Sequence, residues 1–253
     1  MISLIAKNWR YDNIDTVLFD KDGTLIDLHC FWGKMTEMRA LEVIKRYNLS
    51  SNLFDKICMY LGYNSASKKM LADGITALYS RKKIIEIFRK NLAELGVNSS
   101  EIELVEIFDY VSTEFYKNIQ EYTKPIDEAI NLLYELKKLG VKIGIVTSDS
   151  VEATNLNIKQ FGWESLFDIV VGRETVNATK ESGVPTKYAL EKLVAEPQNT
   201  LMIGDAPMDY ISAKNAGVDN VILVATGQLS CEELSKTSNQ VLESLGDIKC
   251  LKI

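Results

Sequence analysis

Five short β-rich runs constrain this chain more than anything else in it: Thr16–Phe19, 142–147, 168–172, Thr200–Gly204 and 220–225, each meeting a Gly, Asp, Thr or Ala at its end. Near-continuous apolar runs of this kind read as strands buried on both faces. Helical stretches separate most of them. Residues 151–161 follow the second run, 186–194 place Ala189, Leu190, Leu193 and Val194 on one face, and 208–216 follow the fourth. Strand and helix alternating in this order predict an α/β fold built on a doubly wound parallel sheet. Since 46% of the 253 residues are hydrophobic, there is apolar side chain enough for one or two domains, and disordered or low-complexity organisation is excluded.

The first run breaks the alternation, because the next strand arrives only near residue 142. Between them Ile84, Ile85, Phe88, Leu92 and Leu95 recur at helical spacing, as do Leu104, Phe108, Val111, Phe115 and Ile119. Such stripes belong to amphipathic helices. Gly96 to Ser99 supply a stop, and Ser100 an N-cap ahead of Glu103. An all-helical domain over 28–123 is therefore expected as an insertion, with 1–27 and 124–253 forming the α/β core. Pro125 is expected to open the helix that returns the chain to the sheet.

A formal charge of −6 argues against a nucleic-acid groove, whose affinity comes from Lys and Arg neutralising phosphates, and favours a small-molecule partner. Cys30, Cys58, Cys231 and Cys250 contain no C-x-x-C pair, so a reducing, cytoplasmic setting without disulfides is expected. The single histidine, His29, excludes a multi-histidine metal site. The apolar patch in residues 1–8 is too short for a signal sequence, and no stretch approaches the ~18 apolar residues of a membrane span. Chemistry falls to carboxylates, hydroxyls and lysines.

The first run leads straight into Asp20-Lys21-Asp22-Gly23-Thr24-Leu25. Residues two apart in extended chain share a side, so Asp20 and Asp22 converge at the carboxyl end of a strand, where open α/β sheets bind ligands. An Asp-Gly turn without function is the competing reading. The fourth run ends in Gly204-Asp205, with Asp209 four residues on. Carboxylates crowded into one crevice must protonate or recruit a cation, and with oxygen donors only, Mg²⁺ is the default. Asp209 also suits a plain helix cap, a reading that leaves Asp205 unexplained. At the tip of the second run, Thr147 and Ser148 stand where hydroxyls and helix-opening N–H groups hold an anion. Lys180, in the loop after the third run, has the charge to neutralise a phosphate; Lys187 competes for that role.

In that order these residues resemble the four motifs of the haloacid dehalogenase superfamily: Asp20 to Leu25, Thr147, Lys180, and Gly204-Asp205 with Asp209. A helical insertion directly after the first motif is similar to its phosphoglycolate-phosphatase-like branch. The third motif there usually reads Lys-Pro-x-Pro, whereas this chain has Lys180-Glu181-Ser182-Gly183. Counting back from Asp205 still favours Lys180 over Lys187, and Pro197 matches a proline common before the fourth strand.

The resemblance implies a Rossmannoid core with a helical cap, and a Mg²⁺-dependent phosphatase for a small phosphorylated metabolite. It implies that Asp20 attacks phosphorus, that Asp22 serves as general acid and then base, and that Thr147, Ser148 and Lys180 hold the phosphoryl oxygens. The metal would take the Asp20 carboxylate, the Asp22 backbone carbonyl, Asp205 and Asp209. Asp22 tells against the superfamily's dehalogenases, which attack carbon without that acid. A phosphomutase of the β-phosphoglucomutase type and a non-catalytic phosphate-binding regulator are the rivals. His29, Phe31 and Trp32 are expected either to line the pocket or to join the helical core. Lys68, Lys69, Arg81, Lys82 and Lys83 read as a solvated face before an anion-attracting one.

Overall fold

Thr16–Phe19 forms a strand with every residue buried, as a strand flanked on both sides and covered on both faces must be. It is β3 of the chain, after β1 (Ile2–Ala6) and β2 (Trp9–Ile14). The computed structural model describes residues 1–252. By packing, the chain divides into two units: the residues up to Asp27 with those from Lys124 onward, and Leu28–Thr123.

The second unit carries α1 (Leu28–Arg46), α2 (Phe54–Tyr60), α3 (Ile75–Leu78), α4 (Arg81–Ala93), α5 (Glu101–Lys117) and α6 (Ile119–Tyr122). Ile84, Ile85, Phe88 and Leu92 of α4 are buried, as are Leu104, Ile107, Phe108, Val111 and Phe115 of α5. Phe31 belongs to this core, its ring centre 5.0 Å from that of Phe115 and 5.1 Å from that of Trp32. His29 accepts the Met70 N–H at Nδ1, 3.1 Å away. Arg81 pairs with Asp109 and Lys83 with Glu86, so part of the basic run is a solvated ion-pair face.

Helices do not account for all of this unit. Antiparallel β4 (Tyr63–Asn64) and β5 (Lys69–Met70) form a short ladder, which corrects the all-helical expectation. The intervening turn closes through Asn64 Oδ1, which accepts N–H groups from Ala66 and Ser67, and through Lys68 in the left-handed region at φ 54°. Two-residue strands have no periodicity for a sequence reading to detect.

The first unit continues with α7 (Asp127–Lys138), β6 (Lys142–Val146), α8 (Val151–Gln160), β7 (Ile169–Val171), α9 (Val184–Leu193), β8 (Thr200–Gly204), α10 (Pro207–Asn215), β9 (Asn220–Val224), α11 (Cys231–Leu234), β10 (Val241–Leu242) and β11 (Ile248–Lys252). Six strands form a parallel sheet in the order β10-β9-β8-β3-β6-β7. Chain order departs from β3 toward β6 and β7 on one side, then returns to β8 on the other. The switch point of the sheet thus lies at β3, and its crevice opens at the strands' carboxyl ends.

Two further features differ from the sequence reading. Pro125 does not open α7; it lies in an extended bridge beside Ile26, and the helix starts at Asp127. Ile126 donates to the Leu25 carbonyl (2.9 Å) and Asp27 to that of Lys124 (2.9 Å), so the chain lies alongside itself here before turning helical. Separately, β11, β1 and β2 form an antiparallel three-stranded sheet, in which β1 and β11 are almost the whole chain apart in sequence while β1 and β2 are consecutive. Among the described residues no helix is long and apolar enough to cross a membrane.

Ser100 accepts the Glu103 N–H at 3.1 Å while Glu103 accepts the Ser100 N–H at 2.8 Å, a complete capping box. Ser100→Ala is expected to lower stability by about 1 kcal/mol, read as a lower urea midpoint with an unchanged slope.

Candidate active site

Strand register brings the acids together. Phe19 lies opposite Ile145 of β6 and Ile203 of β8, and the Asp20 N–H continues the ladder to the Ile203 carbonyl at 2.9 Å. In this register Val146 and Gly204 stand level with Asp20, so Thr147 and Asp205, the first residues past β6 and β8, come one position further toward the switch point. One carboxylate oxygen from each of Asp20, Asp205 and Asp209 lies within 4.8 Å of the others, and all three residues are buried. Asp209 arrives from the first turn of α10, where its Oδ2 accepts the Ala206 N–H at 3.0 Å. Asp209 is thus not the N-cap residue, which is Ala206, but closes the helix start from its third position while its other oxygen stands in the cluster.

Lys180 stands in the middle of the cluster. Its Nζ is 2.5 Å from Asp20 Oδ1 and 2.5 Å from Asp209 Oδ1, and the residue is 6% exposed. Burial alone would lower this ammonium, but Asp20 and Asp209 together hold it above its usual range. Lys187 is exposed on α9, whereas Lys180 is buried among the carboxylates. The short turn after Lys180 ends at Gly183, whose left-handed φ of 75° a residue with a Cβ rarely adopts.

Three carboxylates against one ammonium leave two negative charges. Burial, then the neighbouring Asp20 and Asp209, raise the Asp205 carboxyl well above the ordinary range. Burial likewise raises Asp20 despite Lys180. Backbone makes room for the Asp205 side chain: a Cβ on Gly23, which is at φ +90°, or on Gly227 would run into its carboxylate. Thr24 Oγ1 reaches Asp205 Oδ1 at 3.4 Å, and Thr226 donates to the Gly23 carbonyl at 2.5 Å, bracing the same turn. An all-oxygen, doubly negative and buried donor set fits a hard divalent cation.

Asp22 is not part of the converging carboxylate trio. Its Oδ1 takes the Lys21 ammonium at 2.6 Å, and that ammonium also reaches Asp149 Oδ2 at 3.1 Å. Burial pushes the Asp22 carboxyl up to about 6, with Lys21 pulling against it. Thr147 is buried and its Oγ1 accepts the Asp149 N–H at 3.1 Å, whereas Ser148 is exposed, with its hydroxyl 3.4 Å from the Met208 sulfur. Lys21, Thr24, Asp149 and Thr226 were not singled out by the sequence reading. No sequence signal sets Lys21 apart: strict alternation would aim it away from Asp22, yet its ammonium pairs with that carboxylate.

Residues 14–217 match the model of the haloacid dehalogenase-like hydrolases, and the chain belongs to that family. It is 27% identical over 208 residues to a phosphoglycolate phosphatase of Aquifex aeolicus, covering 81% of this chain and 83% of the relative. Over 236 residues it is 25% identical to the pyrophosphatase PpaX of Bacillus mycoides, covering 93% and 95%. The crystal structure of a HAD-superfamily hydrolase, subfamily IA, from Geobacter sulfurreducens shares the fold at a TM-score of 0.65 and 19% identity, covering 96% of this chain and 97% of that one.

Carboxyls raised by folding keep protons that the unfolded chain has already released. With no cation bound, stability therefore falls as pH rises from the ordinary carboxylate range near about 4 through about 6, where Asp22 titrates, and beyond for Asp205. Asp205→Asn is expected to raise the cation-free melting temperature near neutral pH by roughly 2 to 4 °C, the effect of about 1 kcal/mol in a chain of this size. The same variant should lose the gain that a divalent cation gives the unaltered protein. Scanning calorimetry with chelator and with added cation checks both; a lower cation-free melting temperature would contradict the charge balance.

Proposed function

We propose that the protein is a Mg²⁺-dependent phosphatase that hydrolyses a small phosphorylated metabolite through a phosphorylated Asp20. The observation that carries this reading is the buried cluster of Asp20, Asp205 and Asp209 around Lys180 at the switch point of the sheet. The relatives' names, a phosphoglycolate phosphatase and a pyrophosphatase, agree in reaction type and differ in substrate. Hydrolytic removal of a phosphoryl group, from an ester or from an anhydride, is what they support.

In this reading Asp20 attacks phosphorus along the line of the departing oxygen. Its carboxylate forms the new bond to phosphorus as the ester oxygen leaves with the bonding pair. Asp22, raised to about 6 and so able to hold and release a proton near neutrality, protonates that oxygen. The resulting carboxylate then takes a proton from a water molecule, which attacks phosphorus and returns Asp20 with release of inorganic phosphate. Lys180 and the Thr147 hydroxyl hold the phosphoryl oxygens, since phosphoryl transfer depends chiefly on position and charge neutralisation. Asp20, Asp205, Asp209 and the Asp22 carbonyl would hold Mg²⁺, whose charge would stabilise the transferring group when bound. Leu28–Thr123 occupies the place in the chain of the family's cap insertion, directly after the first motif. A cytoplasmic setting suits the four free cysteines.

A panel of phosphate monoesters assayed with and without Mg²⁺ tests this directly. The unaltered protein is expected to release inorganic phosphate only with the metal present, and Asp20→Asn to lose at least about a thousandfold in kcat. Isomerised phosphate ester without free phosphate would instead establish a mutase. Binding of Mg²⁺ and phosphate with no turnover on any ester would establish a regulator.

A further inference from the structure

Lys21 is a residue that the reaction proposed above does not use, yet it is 1% exposed and lies beside the reacting groups. Its backbone ties the turn together, because its carbonyl accepts N–H groups from Thr24 (3.3 Å), Leu25 (2.9 Å) and Ile26 (3.0 Å). Lys21 lines a small gap together with Leu25, Ile26, Ile145, Ile158 and Trp163 and the polar Thr154 and Asn157. Its ammonium meets Asp22 at 2.6 Å and Asp149 at 3.1 Å. Asp149 is fixed in turn: its Oδ1 accepts the Ser150 N–H at 2.7 Å, and its own N–H donates to Thr147 Oγ1 at 3.1 Å.

Stability does not explain a charged triad in such a place. Taking two carboxylates and an ammonium out of water costs as much as their attraction returns, and apolar residues of similar volume are commonly as stable. What an ion triad adds is direction: a carboxylate held by a rigidly seated ammonium cannot swing into other rotamers.

We infer that Lys21 is a positioning residue: it clamps Asp22 to the Asp149–Thr147 turn, so that the acid carboxyl faces the departing oxygen while Thr147 faces the phosphoryl group. This rests on the phosphatase reading and deepens it. Its consequence depends on the leaving group. An alkyl phosphate departs as a strongly basic alkoxide and needs the proton from Asp22, whereas a nitrophenyl phosphate departs as a stable phenolate and does not. Since kcat/KM reports the steps up to the first transfer to Asp20, loss of the clamp must fall mainly on the alkyl ester.

The test measures kcat/KM for an alkyl phosphate and for p-nitrophenyl phosphate in the unaltered protein, in Lys21→Met and in Asp149→Asn. Lys21→Met keeps the length of the side chain and removes its charge. It is expected to lose at least about tenfold more on the alkyl than on the aryl ester, a fraction of what general acid catalysis contributes. Asp149→Asn keeps the Asp22 ion pair but frees its far anchor, and is expected to show the same bias to a smaller extent. Equal losses on both esters, or none, in folded Lys21→Met overturn the inference. Should that variant fail to fold, the absence of bias in Asp149→Asn overturns it. If the unaltered protein hydrolyses neither ester in an Asp20-dependent way, it is the phosphatase reading that fails.

Discussion

Repulsion among buried carboxylates at one rim of a parallel sheet is the constraint around which this molecule is arranged. Asp20, Asp22, Asp149, Asp205 and Asp209 come close enough for their charges to be felt by one another or by a shared lysine. Two lysines relieve four of them in pairs: Lys180 lies between Asp20 and Asp209, Lys21 between Asp22 and Asp149. Among the described residues Asp205 has no ammonium or guanidinium within ion-pair distance, and burial with the neighbouring Asp20 and Asp209 raises its carboxyl well above its ordinary range. The charge still owed to the cluster is positive, and it is owed at Asp205.

Topology makes the crowding possible and keeps it in place. A strand whose neighbours leave in opposite directions presents a crevice at its tip that no crossover covers. Because β3 is that strand, its successor Asp20 meets residues from β6 and β8 that are more than a hundred positions away in sequence. The glycines at 23 and 227 let backbone pass where a Cβ would strike the Asp205 carboxylate. Close approach and charge are thus supplied by separate parts of the chain, and both are needed for a small hard cation.

Much of this was legible in the amino-acid sequence, for a physical reason. A strand buried on both faces is a compact apolar run, and an acid at its end stands out against it, as Asp20 and Asp205 do. Lys180 and Lys187 were not separable by chemistry, because only the path of the chain decides which of the two reaches the crevice. The β1-β11 pairing is not legible because it joins the two ends of the chain, and the β4-β5 ladder because two residues show no period. Lys21 is not legible because a charge between two catalytic-looking acids reads as surface until its burial is known, and Asp149 because its partner, Lys21, is 128 positions away in sequence. Pro125 suited a helix start by its type alone, and hydrogen bonds to residues 25–27 placed it elsewhere.

The charge deficit at Asp205 is tested most directly by titrating the protein with Mg²⁺ in buffers of different ionisation enthalpy, which yields the number of ions bound and of protons released. Because the raised carboxyls must give up their protons to become ligands, the account predicts a single ion per chain, bound with proton release that shrinks as pH rises. Binding without proton release at low pH, binding that survives in Asp205→Asn, or no binding at all would contradict it.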